Sequence, residues 1–468
     1  MSLIQGRLLG TTTSKSIARA RSRCFIFALA TSISGNVYSQ SLKESYVSAL
    51  TSNIGVLDSQ LAEKIASEKV KQARSFLLPQ INGSARYTDR TLESSGSDQT
   101  ISFFNGVSET SDYAINLDQV IFDRTLSYDL KREKKDLEIA RLNTKLQHQN
   151  LILSVVKSYF DILRGVEARD SLTHEQSSIS QQSKEIQSRY KLGMINKIDV
   201  LDVEAALDLV NTQLLEAQAS IVQAVGALNL ITGNNIEHVD KLVDTIPTHE
   251  FEFEDYDTLI ELAKAHSIAI KSAEISVRKS ELNHKAQRSR RLPTLKFNWS
   301  YQRSNADSIR ESIFRNSTQD NNSYFINIEF PFYSGGRVNS EVRQAAFEKI
   351  QEERKLILAN RTLTTDVRSD LALVKINKSR IHALTKSLSS SQRTLESTVK
   401  GHELGVRTFN DVLQVQQNYH QKIRDVAKAK YDYLESTLQL KKSLGKLGPR
   451  DIEIIDSHMN EKKVALFN

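Results

Sequence analysis

The sequence is poor in the two residues that most often interrupt helices. Its 468 residues include only 5 prolines and 17 glycines, whereas charged residues make up 25%. Proline and glycine cost more inside a helix than any other residue, so their scarcity favours long uninterrupted helices. Ordinary globular packing into several small domains is disfavoured for the same reason.

Long apolar runs and cysteines are also scarce. We find no run of about 18 consecutive apolar residues, and the mean hydropathy is -0.40, which argues against a helical membrane protein. The one cysteine is Cys24, in a segment that we expect to be removed. A mature chain without thiols excludes disulfides, cysteine-based zinc sites and iron–sulfur clusters. We expect no cofactor, no metal and no catalytic residue.

Residues 1–39 have the pattern of a secretory signal peptide. Five basic residues and no acidic residue occur there, an apolar run spans Cys24 to Ala30, and small residues near Ser39 suit cleavage. A disordered basic tail with a short buried helix is the alternative. Removal of this segment lowers the net charge from +7 to +2. The basic composition therefore gives no support for a nucleic-acid partner.

Short motifs recur in the same order at a nearly constant offset, which predicts an internal duplication. We predict a first repeat at 40–245, a second repeat at 246–447 and a flexible C-terminal tail at 448–468. The recurring motifs are Leu78-Pro79 with Leu292-Pro293, Leu192-Gly193 with Leu404-Gly405, and Asp199-Val200-Leu201 with Asp411-Val412-Leu413.

Each repeat contains two segments in which apolar and polar residues alternate, as in β-strands. The clearest apolar faces are Leu295, Phe297, Trp299 and Tyr301, and then Tyr324, Ile326, Ile328, Phe330 and Phe332. Such alternation also fits a soluble sheet on a core. Aromatic ends and export favour membrane strands of about 10 residues, with exterior loops near 88–108 and 306–321. Because four strands cannot close a barrel alone, several copies must contribute strands, and three copies would give twelve.

Long helical hairpins follow the strands. From Arg124 to Leu192 the chain has no proline and only Gly165, so this helix would reach on the order of 100 Å. Its returning partner has apolar residues at strict three- and four-residue spacing, the mark of a coiled-coil seam. The seam contains Val200, Val203, Leu207, Val210, Leu214, Ala217, Ile221, Ala224, Leu228 and Ile231. In the second repeat Lys422 interrupts the seam, and we expect looser packing or contact with water there.

The order and spacing of these motifs resemble the TolC family of outer-membrane efflux and secretion channels over residues 41–447. Phe122-Asp123, Tyr333-Ser334-Gly335-Gly336, Arg189-Tyr190 and Gly405-x-Arg407-Thr408 add to the resemblance. It implies a mainly α fold with membrane β-strands, in which a homotrimer shares a twelve-stranded β-barrel in outer-membrane lipid and a long periplasmic α-helical tunnel. A periplasmic adaptor (membrane fusion protein) and an inner-membrane transporter are the implied partners, and no reaction is catalysed.

The resemblance also assigns gating roles near the hairpin turns. It implies that Arg407 bonds Asp199 and that Asp411 forms an acidic ring at the constriction. Two positions depart from the family pattern, with Gln414 in place of a second aspartate and His402 in place of a tyrosine. A histidine could make closure depend on pH. The turns expected to meet the adaptor contain Leu192, Gly193, Leu404 and Gly405.

Simpler roles remain open for these residues. Asp199 and Asp411 fall near helix starts, where carboxylates cap free N–H groups. Arg407 and His402 could be solvated surface residues, and the turn glycines could simply end helices. At the level of function, the alternative is a non-membrane exported coiled-coil structural or adhesion protein. The paired aromatic strands at equivalent places in both repeats favour the channel.

Overall fold

The computed structural model describes residues 39–92, 106–242, 255–310 and 313–466. The predicted signal peptide, except Ser39, lies outside the described residues. The first repeat has eight elements, which are β1 (Ser39–Gln40), α1 (Leu42–Ser52), α2 (Ile54–Ser75), β2 (Gln80–Leu92), β3 (Gly106–Phe122), α3 (Arg124–Lys191), α4 (Lys197–Thr232) and β4 (His238–Leu242). The rest of the chain has α5 (Tyr256–His266), α6 (Ile268–Ser289), β5 (Thr294–Arg310), β6 (Ile313–Glu329), α7 (Arg337–Glu403), α8 (Phe409–Ser443), α9 (Pro449–Asp456) and β7 (Met459–Ala465).

Corresponding elements of the two repeats have nearly the same length. α2 and α6 have 22 residues each, α3 and α7 have 68 and 67, and α4 and α8 have 36 and 35. In both repeats a Leu-Pro pair separates the short helix from the first strand, because proline lacks the N–H that a continuing helix needs. The duplicated strand–strand–helical-hairpin unit is therefore confirmed.

The membrane strands form an antiparallel sheet in the order β2-β3-β5-β6. The register places apolar residues in one row across all four strands, namely Ile81, Leu117, Trp299 and Tyr324. The neighbouring row, on the opposite face, is polar and contains Asn82, Asn116, Ser300 and Ser323. One face of this sheet is thus suited to lipid and the other to water.

The strands are longer than predicted. β2 has 13 residues and β3, β5 and β6 have 17 each. The expected exterior loop at 306–321 is wrong, since residues 306–310 pair with residues 313–317 and 318–321 continue the ladder. Residues 88–92 and 106–108 are likewise paired. The ends of these strands carry polar side chains, so apolar–polar alternation did not predict them. Strands can remain paired beyond the apolar residues because pairing needs only backbone hydrogen bonds.

α3 lies at the centre of the helical part. It packs against α1, α2, α4, α6, α8 and α9, whereas α7 packs against α5, α6 and α8. A large core halfway along the hairpins contains Tyr159, Phe160, Leu228 and Leu440, all fully buried. A second, smaller core lies nearer the turns and contains Ile179, Ile186, Val203 and Leu413 among its members.

The predicted seam on α4 is confirmed. Six of its ten residues are buried and the other four are partly buried. α8 as a whole contributes 12 buried residues against 9 from α4, but none of its residues between Gln416 and Val426 is buried. α8 packs against both α3 and α7, and the ammonium of Lys422 lies 3.4 Å from the Asp425 carboxylate. Around Lys422 the seam is thus less buried than on α4, as expected, and the ammonium is paired within its own helix.

α4 is more apolar than the absence of long apolar runs suggested. An 18-residue window within it has a mean hydropathy of 1.4, enough by length and composition to cross a membrane, and 28% of that window is buried. Its seam packs against α3. A second set of large apolar side chains, Leu201, Leu215, Val222 and Leu230, is exposed along the same helix.

The segment after Gly448 is ordered, so the expected flexible tail is wrong for the described residues. α9 starts with Pro449, its Asp451 accepts a hydrogen bond from the Gly448 N–H at 2.9 Å, and Ile452 is buried. β7 pairs with β4, which also pairs with β1. This small sheet joins both ends of the described chain. Its partners are distant in sequence, which is why local composition did not reveal it.

Candidate functional site

The two hairpin turns have the same backbone geometry. In each turn a glycine with positive φ, Gly193 at 74° and Gly405 at 75°, ends the long helix. Its N–H donates to the carbonyl three residues earlier at 2.9 Å, and the next N–H donates five residues back at 3.0 and 2.9 Å. These two bonds define a Schellman motif, which needs a left-handed residue at the glycine position. The helix-ending role of both glycines follows directly.

Each turn presents apolar side chains to its surroundings. Leu192 is 74% exposed and Leu404 is 80% exposed, and Met194 and Val406 are exposed beside them. A Cβ at either turn glycine would meet no atom within 4 Å. Exposed leucines on a hydrogen-bonded turn form a small rigid apolar surface, which is the kind of surface a partner helix can cover.

The core near the turns brings the two hairpins together. Phe409 and Leu413 at the start of α8 are buried in the same cluster as Ile186 of α3. Val200 of α4 packs against this cluster while remaining partly exposed. The starts of α4 and α8 therefore lie close together at the turn end of the helical hairpins. Asp199, Arg407 and Asp411 lie at this same end.

Asp411 caps the start of α8. Its carboxylate accepts the Thr408 N–H at 3.0 Å, while the Thr408 hydroxyl accepts the Asp411 N–H at 3.2 Å. The hydrogen bonds from Thr408, with a smaller contribution from the charge of Arg407, hold the pKa of Asp411 below its usual value. Asp411 is therefore ionised at neutral pH, as both the capping role and the acidic-ring role require.

Asp199 and Arg407 are not joined within one chain. Asp199 lies in the first turn of α4, after Asn196, which makes no side-chain capping bond. Among the described residues neither Asp199 nor Arg407 takes part in an ion pair. The Arg407 side chain is exposed. The single chain thus leaves the guanidinium and the carboxylate available at the same end.

His402 is more than a solvated side chain. Its Nδ1 lies 3.1 Å from the carbonyl oxygen of Arg407, and its ring meets the Phe409 ring edge-on at 5.6 Å. The His402 ring therefore contacts and stabilises the turn that contains Arg407. Gln414, by contrast, is exposed and helps to line an open cavity of about 400 Å³ between the two hairpins.

A buried polar link between the hairpins was missed at the sequence level. Arg424 of α8 donates to Glu175 of α3 at 3.0 Å, and their side chains are 15% and 1% exposed. Gln182 donates to Gln416 across the same interface at 3.0 Å. Burial raises the pKa of Glu175, and Arg424 opposes that rise. The available signal was a carboxylate in phase with the buried residues Leu172 and Ile179 of α3.

Within the described ranges, no group of three or more His, Cys, Asp and Glu side chains is arranged to hold a metal ion. The ion pairs of the helical part mostly link neighbouring turns or neighbouring helices.

Comparison with known proteins gives consistent results. Outer membrane protein TolC of Vibrio cholerae is 26% identical over 441 residues, which cover 94% of this chain and 98% of that protein. Alkaline protease secretion protein AprF of Pseudomonas aeruginosa is 24% identical over 346 residues, covering 73% of this chain and 71% of that protein. The crystal structure of the Campylobacter jejuni CmeC outer membrane channel superposes with a TM-score of 0.76 at 16% identity, over 90% of both chains.

The model of one protein family, described as outer membrane efflux protein, matches residues 46–234 and 259–446. These two stretches make up most of the sequence, and each contains the complete strand–strand–hairpin unit. The chain therefore belongs to the outer membrane efflux protein family.

Proposed function

We propose that three copies of this chain close into a passive outer-membrane conduit, with a twelve-stranded barrel in lipid and a helical tunnel in the periplasm. The observation that carries this proposal is the open four-stranded sheet. It exposes an apolar face, and within the described residues the outer edges of β2 and β6 have no paired strand. Lipid does not tolerate unpaired backbone edges, so further copies have to continue the ladder.

The helical part has two open apolar edges of matching length. The α2 edge consists of the exposed residues Ile54, Leu57, Leu61 and Ile65. The α7 edge consists of the exposed residues Phe347, Ile350, Ile357 and Leu358. Each extends over 12 residues, or roughly 17 Å of helix from first to last. Because the two edges belong to different surfaces, contact between them is head-to-tail and closes a ring.

Assembly is tested by electrophoresis of the outer-membrane fraction without boiling. We expect a heat-resistant species at three times the mass of the chain. Replacement of Phe347 by aspartate places a charge in the α7 edge and should reduce that species. Replacement of Leu192 by aspartate, which adds the same charge at a hairpin turn, should not. A soluble periplasmic monomer of the unchanged protein would overturn the proposal.

The conduit works with a periplasmic adaptor and an inner-membrane transporter, which supplies the energy. The exposed apolar turns at Leu192 and Leu404 support contact with an adaptor, because they lie at the end of the helical hairpins that is farthest from the sheet. The names of the relatives, which include an outer membrane protein TolC and a protease secretion protein, support a role in efflux or type I secretion. The adhesion alternative has no comparable support.

Closure of the tunnel uses Asp199 and Arg407 across neighbouring copies. Neither has an ion-pair partner within the described part of one chain, although both lie at the turns. A partly exposed ion pair contributes about 0.2–1 kcal/mol. Three such pairs bias the closed state and still allow a partner to open it.

The latch is tested by conductance in planar bilayers. Arg407→Ser should raise the single-channel conductance, while Arg189→Ser should not, because Arg189 pairs with Glu185 on its own helix at 2.5 Å. Unchanged conductance in Arg407→Ser rejects the latch. A double cysteine variant at positions 199 and 407 adds a geometric test, since oxidation should join separate copies and not only residues of one chain.

The acidic ring is tested by cation block. Asp411→Asn keeps an acceptor for the Thr408 N–H and removes the charge, so the helix cap survives. We expect weaker block by trivalent cations, because three carboxylates on the axis would attract them. Gln414→Asp should strengthen block by adding a second ring. Unaltered block in Asp411→Asn would remove Asp411 from the constriction.

A further inference from the structure

The two repeats differ where the short helix meets the first strand. In the first repeat α2 ends at Ser75 and Phe76-Leu77 follow it before Leu78-Pro79. In the second repeat α6 ends at Ser289 and Arg290-Arg291 follow it before Leu292-Pro293. The apolar residues Phe76 and Leu77 of the first repeat are thus replaced by Arg290 and Arg291 in the second. The surrounding motif is the same, so the difference is confined to these two positions.

One of the two added arginines shares a carboxylate with a third arginine, and the other bonds to an amide nearby. Arg290 Nη1 lies 3.0 Å from Glu341 Oε2, and Arg337 Nη1 lies 3.0 Å from Glu341 Oε1. Arg291 Nη2 donates to the neutral side chain of Asn339 at 2.8 Å. Arg290, Arg291 and Arg337, which we name the arginine patch, therefore carry two more positive charges than Glu341 neutralises.

The arginine patch is open to its surroundings. The side chains of Arg290 and Arg337 are 40% and 62% exposed, and Arg291 is exposed as well. A guanidinium that is held in place by one acceptor keeps further N–H donors free for a second one. The patch is thus preorganised and only partly neutralised.

Exposed aromatic side chains lie directly beside the patch in the sequence. Phe330, Phe332 and Tyr333 connect β6 to α7, all three are exposed, and the two phenylalanine rings meet edge-on at 4.6 Å. Leu292 is exposed at the matching junction of α6 and β5. Aromatic side chains at the ends of membrane strands mark the boundary between hydrocarbon and headgroups.

We propose that the arginine patch binds the phosphate of anionic phospholipids in the periplasmic leaflet, while Phe330, Phe332 and Tyr333 contact their acyl chains. The inference rests on the proposed function, since it requires the sheet to span the outer membrane. Guanidinium groups match phosphate through paired N–H donors. The charge lies on the helical side of the aromatic residues, where the headgroups of that leaflet are.

The first repeat has no such patch. At its equivalent junction Phe76, which is exposed, and Leu77, which is partly exposed, take the places of Arg290 and Arg291, and the following helix starts with Asp123 as its cap. In the trimer the anionic lipid therefore binds at three places, one for each second repeat, and not around the whole barrel.

The test measures lipids that remain bound to the trimer. The purified protein is placed in nanodiscs that contain phosphatidylethanolamine and phosphatidylglycerol at three to one, and co-ejected lipids are counted by native mass spectrometry. The unchanged protein should be enriched in phosphatidylglycerol. Arg290→Gln with Arg291→Gln should lower that enrichment by about fivefold for each charge removed. Lys71→Gln with Arg74→Gln, which removes two charges from the first repeat, is the matched control and should have little effect.

A third variant should act in the opposite direction. Glu341→Gln frees Arg290 and Arg337 and should raise the enrichment. Equal enrichment in the unchanged protein and the double arginine variant would overturn the proposal, as would an equal loss in the matched control. Conductance in bilayers of uncharged lipid reports on the channel separately, so failure of the proposed function is distinguishable from failure of lipid binding.

Discussion

α3 and α7 occupy equivalent places in the two repeats, yet the folded chain treats them differently. They have 68 and 67 residues, but α3 contributes 19 buried residues and α7 only 9. α3 packs against helices of both repeats, including α6 and α8 of the second repeat, whereas α7 packs against α5, α6 and α8 and forms an edge. The two repeats thus contain long helices of nearly the same length. Their different packing partners make α3 a core helix and leave α7 as a surface that a second copy can contact.

The contact of each long helix with its return partner also differs. A Cβ at Gly165 of α3 would lie 2.6 Å from Ile221 Cγ1, so glycine allows α4 to approach closely. Asn377 holds the equivalent place in α7 and donates to the Asp432 carbonyl and the Ser436 hydroxyl of α8, each at 3.2 Å. One hairpin is held by close apolar packing, and the other by a side chain that bonds across it.

The largest expected effect comes from truncating one phenylalanine in each of the two long helices. Phe160 of α3 is fully buried, whereas Phe347 of α7 is 66% exposed. Phe160→Ala should lower the free energy of unfolding by about 3–5 kcal/mol because it leaves a cavity. Phe347→Ala should leave the folding of a single chain nearly unchanged and weaken the trimer instead. Urea unfolding in detergent and trimer dissociation on heating measure the two effects, and equal losses in both assays would contradict the comparison.

Breaking the buried link between the hairpins should cost nearly as much. Arg424→Gln leaves Glu175 buried without its partner, and removal of one member of a buried pair costs about 3–5 kcal/mol. The double variant with Glu175→Gln should recover part of that loss, because no charge remains uncompensated. Arg407→Ser at the exposed turn should not shift the urea midpoint. A midpoint that is the same in Arg424→Gln and Arg407→Ser would show that the link carries no stability.

The glycines that end α4 and α8 give a smaller, graded contrast. Gly233 and Gly445 both have positive φ, at 71° and 69°. A Cβ at Gly445 would lie 2.6 Å from the His266 carbonyl oxygen, whereas one at Gly233 would lie 3.1 Å from the Ser52 side chain. Each alanine costs about 1–2 kcal/mol for its backbone conformation. Gly445→Ala should add a steric cost that Gly233→Ala avoids, and thermal unfolding would reveal equal effects if the contact were unimportant.

The smallest effect concerns pH. Burial, together with the nearby charges of Arg424 and His174, lowers the pKa of His420 to about 4 from 6.5. The unfolded chain therefore binds this proton more readily, so the contribution of His420 to stability is complete above pH 6.5 and is lost as the pH falls toward 4. His420→Gln should flatten this part of the stability profile. Glu175, whose pKa is raised, has the opposite dependence and is unchanged in the variant. Equal losses of unfolding free energy between pH 6.5 and 4 in the unchanged protein and in His420→Gln would contradict a contribution from His420.

Periodicity and turn residues predicted most of the fold. The α4 seam, the helix ends at Gly193 and Gly405 and the alternating face with Trp299 and Tyr324 are all local patterns, and each has its expected structure. The strand ends and the segment after Gly448 were mistaken for loops and a tail. Their order comes from backbone pairing and from contacts with distant residues, which composition does not report.

At the candidate site, the resemblance identified the turns and the sequence did not reveal their contacts. Asp411 was expected either to cap a helix or to line a constriction, and its bonds to Thr408 support the first role without opposing the second. His402 contacts Arg407 and Phe409, which its polar neighbours did not suggest. The Glu175–Arg424 pair joins residues 249 positions apart, so no local pattern could have paired them.

The sequence by itself determined the local structure of this channel. Helical periodicity, alternation in the strands and glycines at fixed turns are properties of residues a few positions apart, and they specify long hairpins and an amphipathic sheet twice over. Only the tertiary structure decided which of two equal helices is buried, where the ends of the chain are held and which carboxylate meets which arginine. Those choices depend on contacts between distant residues, whose energies the separate segments do not contain.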